Sequence, residues 1–126
     1  MRRYAYGLIM LSFALGLVLA SLAGAQATNT VAVQVAPHTM LLSSSQADFV
    51  TVHAEIAYGL VDTSTLTLNG VVVAWTKADS RGELVAKFRE ADVKAVLSSP
   101  ETTLTLRGMT VAGGEFSGED TVKVRD

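Results

Sequence analysis

The sequence predicts an all-β fold, an antiparallel β-sandwich of about seven strands with one short helix, preceded by an apolar N-terminal helix. Three observations carry this expectation. Apolar residues recur at every second position through most of the chain, as in strands with one buried face. Turn-forming residues interrupt these runs about every ten residues. One segment, Glu90 to Leu97, changes to helical spacing at Val93, Val96 and Leu97.

The first strand spans Thr30 to Val35, with Val31, Val33 and Val35 on one face. Pro37 breaks the ladder because it has no N–H to donate. Thr39 to Ser43 resumes as a short strand that switches sheets, and Ser43-Ser44-Ser45-Gln46 is a polar turn. Asp48 to Ala57 follows, with Val50, Val52, Ala54 and Ile56 inward and Thr51, His53 and Glu55 outward. Gly59 to Thr63 reads as a loop, and Leu66 and Leu68 then face the core.

Asn69-Gly70 predicts a type I′ hairpin, because both central residues of that turn need positive φ. The return strand is Val71 to Thr76, and Lys77 to Gly82 is a polar loop. Glu83 to Arg89 places Leu84, Ala86 and Phe88 inward and Val85 and Lys87 outward. After the helical segment, Ser98-Ser99-Pro100 is a stop. Thr102 to Met109 places Leu104 and Leu106 inward, and Gly113-Gly114 is a turn. Glu115 to Val124 closes the fold, with a bulge expected at Gly118 and Val122 and Val124 inward.

The N-terminus has a different character. Gly7 to Ala23 is almost continuously apolar, Arg2 and Arg3 precede it, and Ala23-Gly24-Ala25 and Ala25-Gln26-Ala27 follow. A basic start, an apolar stretch and an A-x-A site make a secretory signal peptide. The expected division is a signal peptide at 1–27, cut near 25/26 or 27/28, and a β-domain at 28–126. The competing reading is an uncleaved anchor, since the run lies near the roughly 17-residue lower limit for a spanning helix.

Composition narrows the function classes. The 126 residues include no cysteine, which excludes a disulfide framework, a lipid-modified cysteine and thiolate chemistry. Without Arg2 and Arg3, eight Lys/Arg face twelve Asp/Glu, a net charge near −4. With no basic stripe, nucleic acid is not an expected partner, nor is an anionic membrane surface after cleavage.

The order of motifs resembles a small Ig-like module of bacterial and archaeal exported and surface proteins. Val33-Gln34-Val35-Ala36-Pro37-His38-Thr39-Met40 resembles its V-x-V-x-P-x-T-L opening, and Phe49-Val50-Thr51-Val52 its V-T-V strand. Asp62-Thr63-Ser64-Thr65-Leu66-Thr67-Leu68-Asn69-Gly70 resembles D-x-S-T-V-x-L-N-G, and Ala86-Lys87-Phe88-Arg89 resembles V-K-F-x-R. Phe116 to Val124 resembles the closing F-x-G-x-D-T-I-x-V. The resemblance implies an Ig-like sandwich and an accessory or structural role outside the cell, with no activity to carry over. Similar modules often have an acidic D-x-D-x-D-G loop suited to calcium. Here Ala78-Asp79-Ser80-Arg81-Gly82-Glu83 offers two carboxylates beside an arginine, short of the roughly six to eight oxygens that calcium takes.

The candidate sites are few. His53 and Glu55 project from one face and supply two metal ligands, where zinc needs three or four from the protein, so a solvated polar face is the expected reading. The other acids considered for a metal are Asp79 and Glu83, and His38, the second histidine, follows Pro37 at a strand break. Ser43 to Ser45 lack the G-x-S-x-G elbow of a hydrolase nucleophile. Trp75 and Tyr58 are the aromatics that suit a ligand surface. One register puts Trp75 in the core with Val71 and Val73, and the other puts it outside; the sequence leaves both open.

The expected function is an exported, non-catalytic structural or interaction module of the envelope or extracellular space, without catalytic residues or cofactor. Its expected partner is an envelope protein or a polysaccharide. The alternative is a carbohydrate-binding module using Trp75 and Tyr58, and the remotest is a small secreted hydrolase.

Overall fold

A computed structural model describes residues 29–126. The signal peptide expected at 1–27 and its cleavage points lie outside the described residues. In order, the elements are β1 (Asn29–Thr30), β2 (Val33–Ala36), β3 (Thr39–Leu41), β4 (Phe49–Ala57), a 3₁₀ turn (Tyr58–Leu60) and β5 (Val61–Leu68). Then come β6 (Val71–Val72), β7 (Trp75–Ala78), β8 (Glu83–Arg89), α1 (Glu90–Lys94), β9 (Glu101–Thr110) and β10 (Glu115–Arg125). No helix among them is long and apolar enough to cross a membrane.

The fold is all-β, with two mainly antiparallel sheets and one short helix. The four-stranded sheet runs β2-β4-β8-β7, and the six-stranded sheet runs β1-β10-β9-β5-β6 with β3 also on β10. Alternation explains the interior, because Val50, Val52 and Ala54 of β4 and Leu84, Ala86 and Phe88 of β8 are buried at every second position. They pack on Leu66, Leu68, Leu104 and Leu106 of the facing sheet. Burial of such side chains, each worth about 1.5–3 kcal/mol, is the main term holding the sheets together.

The N-terminal segment stitches the two sheets. β1 and β3 both pair parallel with β10, at Phe116–Ser117 and at Lys123–Arg125. Between them the chain leaves for the other sheet as β2, paired with β4. The sheet switch after Pro37 therefore occurs as the sequence predicts. Asp120 secures the crossing by accepting the Val35 N–H at 2.9 Å.

Asn69 and Gly70 have φ of 47° and 86°, as the hairpin reading requires. The Asn69 side chain also extends the ladder, with Oδ1 accepting from Thr105 N–H at 2.7 Å and Nδ2 donating to Thr103 C=O at 3.1 Å.

Three expectations are corrected. First, Gly59 to Thr63 is not a loop, since β5 begins at Val61 and pairs with Thr110 beyond an irregularity between Arg107 and Met109. Its loop-like composition reflects a local turn within the strand, where the Ser64 N–H and hydroxyl both donate to Asp62 Oδ1. The Thr65 hydroxyl, accepting from Met109 N–H at 2.8 Å, bridges the irregularity.

Second, the pairing of β9 with β10 runs in unbroken register through Gly118, with no bulge there. Residues 116, 118, 120, 122 and 124 therefore share one face, and Phe116 joins the core at 1% exposure. Third, α1 ends at Lys94 rather than near Leu97, and Val96 is 38% exposed. Val85 faces outward as expected, outside the core cluster, and is 4% exposed.

Glu90, at the start of α1, is the one buried charged residue among those described. Its carboxylate accepts the N–H groups of Gln46 and Ala47 at 2.9 and 3.2 Å and the Ser45 hydroxyl at 3.2 Å. Lys94 Nζ lies 3.5 Å away, one turn on. Burial alone would raise the Glu90 pKa, but these N–H donors, Lys94 and Ser45 outweigh it and hold the group below its ordinary value. The polar turn at 43–46 is thus pinned to the helix.

Candidate functional site

The outer face of the four-stranded sheet collects the sequence candidates. Cross-strand register orders it in rows. Ala36, Thr51, Lys87 and Trp75 form one row, and Gln34, His53, Val85 and Lys77 form the next. Phe49 and Arg89 face each other beyond the first row.

Trp75 stands on this face, 43% exposed. The reason is a sheet switch that simple alternation does not show. Val71 to Thr76 is not one strand: β6 pairs with β5 in the six-stranded sheet, and β7 pairs with β8 in the four-stranded sheet. The crossing falls between two residues. Val73 N–H still donates to Leu66 C=O at 3.2 Å, and Ala74 N–H already donates to Lys87 C=O at 2.8 Å. Val71 and Val73 pack against the core, and the phase is lost before Trp75.

The Trp75 ring is held in place. Phe49 meets it edge to face, with centroids 6.0 Å apart and planes at 89°. Lys87 Nζ lies 5.7 Å from the indole centroid and donates to Thr51 Oγ1 at 2.7 Å. The Arg89 guanidinium lies 5.8 Å from the Phe49 ring.

Tyr58 does not share this surface. Its hydroxyl is 3.2 Å from Thr76 Oγ1, and Thr76 pairs with Ala86 of the core. Trp75 and Tyr58 therefore lie on opposite faces of the sheet.

The other end of the outer face is polar. A hollow of about 480 Å³ is lined by Gln34, His53, Glu55, Asp79, Arg81 and Glu83 among others. The three acids and the histidine considered for a metal thus converge on one place. All but Glu55 are engaged with protein partners. Asp79 Oδ1 accepts the N–H groups of Arg81 and Glu83 at 2.7 and 2.9 Å, and Oδ2 meets His53 Nε2 at 2.5 Å. Glu83 faces Arg81 at 3.6 Å. Among the described residues, no group of three or more His, Asp or Glu is placed to hold a metal ion. Asp79 shapes its own turn, with both carboxylate oxygens engaged by protein partners.

The hydrogen bond to His53, followed by those from Glu83, lowers the Asp79 pKa to about 2, against a smaller opposing effect of burial. The unfolded value is higher, so this carboxylate stabilises the fold above roughly pH 4, and its contribution is lost as pH falls towards 2. Asp79→Asn is expected to lower the urea midpoint at pH 5. The gap between variant and wild type should close between pH 4 and pH 2. A gap constant over that window would show that Asp79 carries no such linkage.

Ser45, one of the serines weighed for hydrolysis, gives its hydroxyl to Glu90. His38 pairs with Asp120 at 3.6 Å, away from the outer face. Glu90, which the sequence reading treated only as a helix start, is the polar residue it missed. Its signal was an acid directly after an apolar strand, with lysine four positions on.

Compared with known proteins, the chain matches no family model, no curated protein and no solved structure.

Proposed function

We propose that the chain is an exported, non-catalytic Ig-like interaction module of the cell envelope or extracellular space, with the outer face of the four-stranded sheet as its contact surface. The observation that carries this reading is the exposed Trp75, braced by Phe49 and Lys87 on a face that the core does not use. Aromatic and arginine side chains of this kind are enriched where proteins anchor partners. The basic and apolar leader with its A-x-A signal supports export. The path of the first strands between two packed sheets supports the Ig-like assignment.

Expression of the full chain in a bacterial host tests the reading. The expected product lies outside the cytosol, with a mass corresponding to cleavage after Ala25 or Ala27, and envelope fractions retain it through Trp75. An uncut cytosolic product, or retention unchanged by Trp75→Ala, would overturn it.

A second reading is favoured by the same ring. A half-open indole on a flat sheet face suits stacking on a sugar, so a carbohydrate-binding module is the alternative, carried by Trp75 without Tyr58.

A further inference from the structure

The charges around Trp75 narrow the chemistry of its ligand. Lys87 is its cross-strand neighbour, Lys77 lies two residues along on the same face, and Arg89 is two residues from Lys87. Three of the eight cations in 29–126 thus surround one exposed ring, in a segment where acids outnumber bases. Among the described residues none of the three is paired with a carboxylate. The ion pairs formed are His38–Asp120, His53–Asp79, Arg81–Glu83 and Lys94–Glu90. The outward carboxylates of this sheet, Glu55 and Glu83, sit with Asp79 at the opposite end, around the hollow.

The surface is therefore split into an aromatic, cationic half and an acidic half. Beyond Lys87 the floor of the Trp75 row is low, because Thr51 and Ala36 occupy its far end. A polymer of rings can lie across this row, and anionic groups on it would complement cations that have no partner.

From this arrangement we infer that the outer face binds an acidic polysaccharide, one whose sugar rings carry carboxylates. A ring stacks on Trp75, and the carboxylates meet Lys77 and Arg89. The inference rests on the carbohydrate-binding reading and adds the charge of the ligand to it.

Affinity electrophoresis of the purified full-length protein tests it, in gels containing polygalacturonate or a neutral dextran, with polyglutamate and oligo-dT as competitors. Polygalacturonate is expected to retard the protein, and dextran is not. The affinity should fall as salt rises past 0.15 M, where the screening length is about 8 Å. The double variant Lys77→Gln/Arg89→Gln is expected to weaken retardation about tenfold. Trp75→Ala should abolish it, and Lys123→Gln on the other sheet should leave it unchanged.

Circular dichroism of each variant separates loss of binding from loss of fold. Equal, salt-insensitive retardation by dextran would end the charge inference and keep the carbohydrate reading. A mobility shift on mixing with polyglutamate or oligo-dT, without retardation by either glycan, would end both in favour of a protein or nucleic-acid ligand. No retardation and no competitor binding would end both outright.

Discussion

Gly118→Ala is expected to destabilise the domain by about 3 kcal/mol. A Cβ at this position would lie 2.2 Å from the Val31 carbonyl oxygen and 2.5 Å from Val33 Cγ2. The first of these atoms is backbone, so no side-chain rotation relieves the contact. The same Val31 is tied down, with its N–H donating to Ser117 C=O at 2.9 Å. To admit a methyl group, the crossing from β1 to β2 has to lift off β10. At about 4–8 °C per kcal/mol for a domain of this size, the Tm should fall by roughly 12–24 °C. Gly114→Ala is the matched control, because its Cβ would meet nothing closer than Thr110 Oγ1 at 3.5 Å. Its Tm should move little. Equal Tm values for the two variants would show that the sheets do not close over Gly118.

The contrast between these glycines shows where sequence reasoning stops. Alternation alone located the inward residues of β4, β8 and β9, since each strand keeps its phase from end to end. It failed wherever the interior face carries something other than an apolar side chain. Gly118 and Asp120 sit on the inward face of β10 and look like a break in the pattern. One leaves room for a crossing backbone, and the other accepts the Val35 N–H from that crossing segment. Both roles depend on a strand far away in sequence, so no local signal reports them. The same holds for Trp75. Its orientation follows from a change of sheet between Val73 and Ala74, a tertiary event inside a run that reads as one strand. At the polar end, His53 with Glu55 and Asp79 with Glu83 were each recognisable as pairs. That they share one hollow required the pairing of β4 with β8 and of β8 with β7.

Phe88→Ala is expected to cost about 3–5 kcal/mol, and Trp75→Ala about 1 kcal/mol. Phe88 is fully buried on β8, opposite Val50, and points into the space between the sheets. Its removal loses the transfer free energy of the ring and leaves a cavity that two fixed sheets cannot collapse to fill. Marginal domains hold only about 5–15 kcal/mol in total, so this one truncation takes a large share. Trp75 is larger, yet its loss removes only contacts on the outer face, the edge of Phe49 and the ammonium of Lys87. Urea unfolding of the two variants measures both costs on one scale. The order is informative because volume alone predicts the reverse. A Trp75→Ala cost as large as that of Phe88→Ala would place the indole inside the sandwich and remove the proposed contact surface. Retained secondary structure with lost glycan binding in Trp75→Ala, beside collapsed stability in Phe88→Ala, would assign the two rings to opposite faces of one sheet, one for folding and one for recognition.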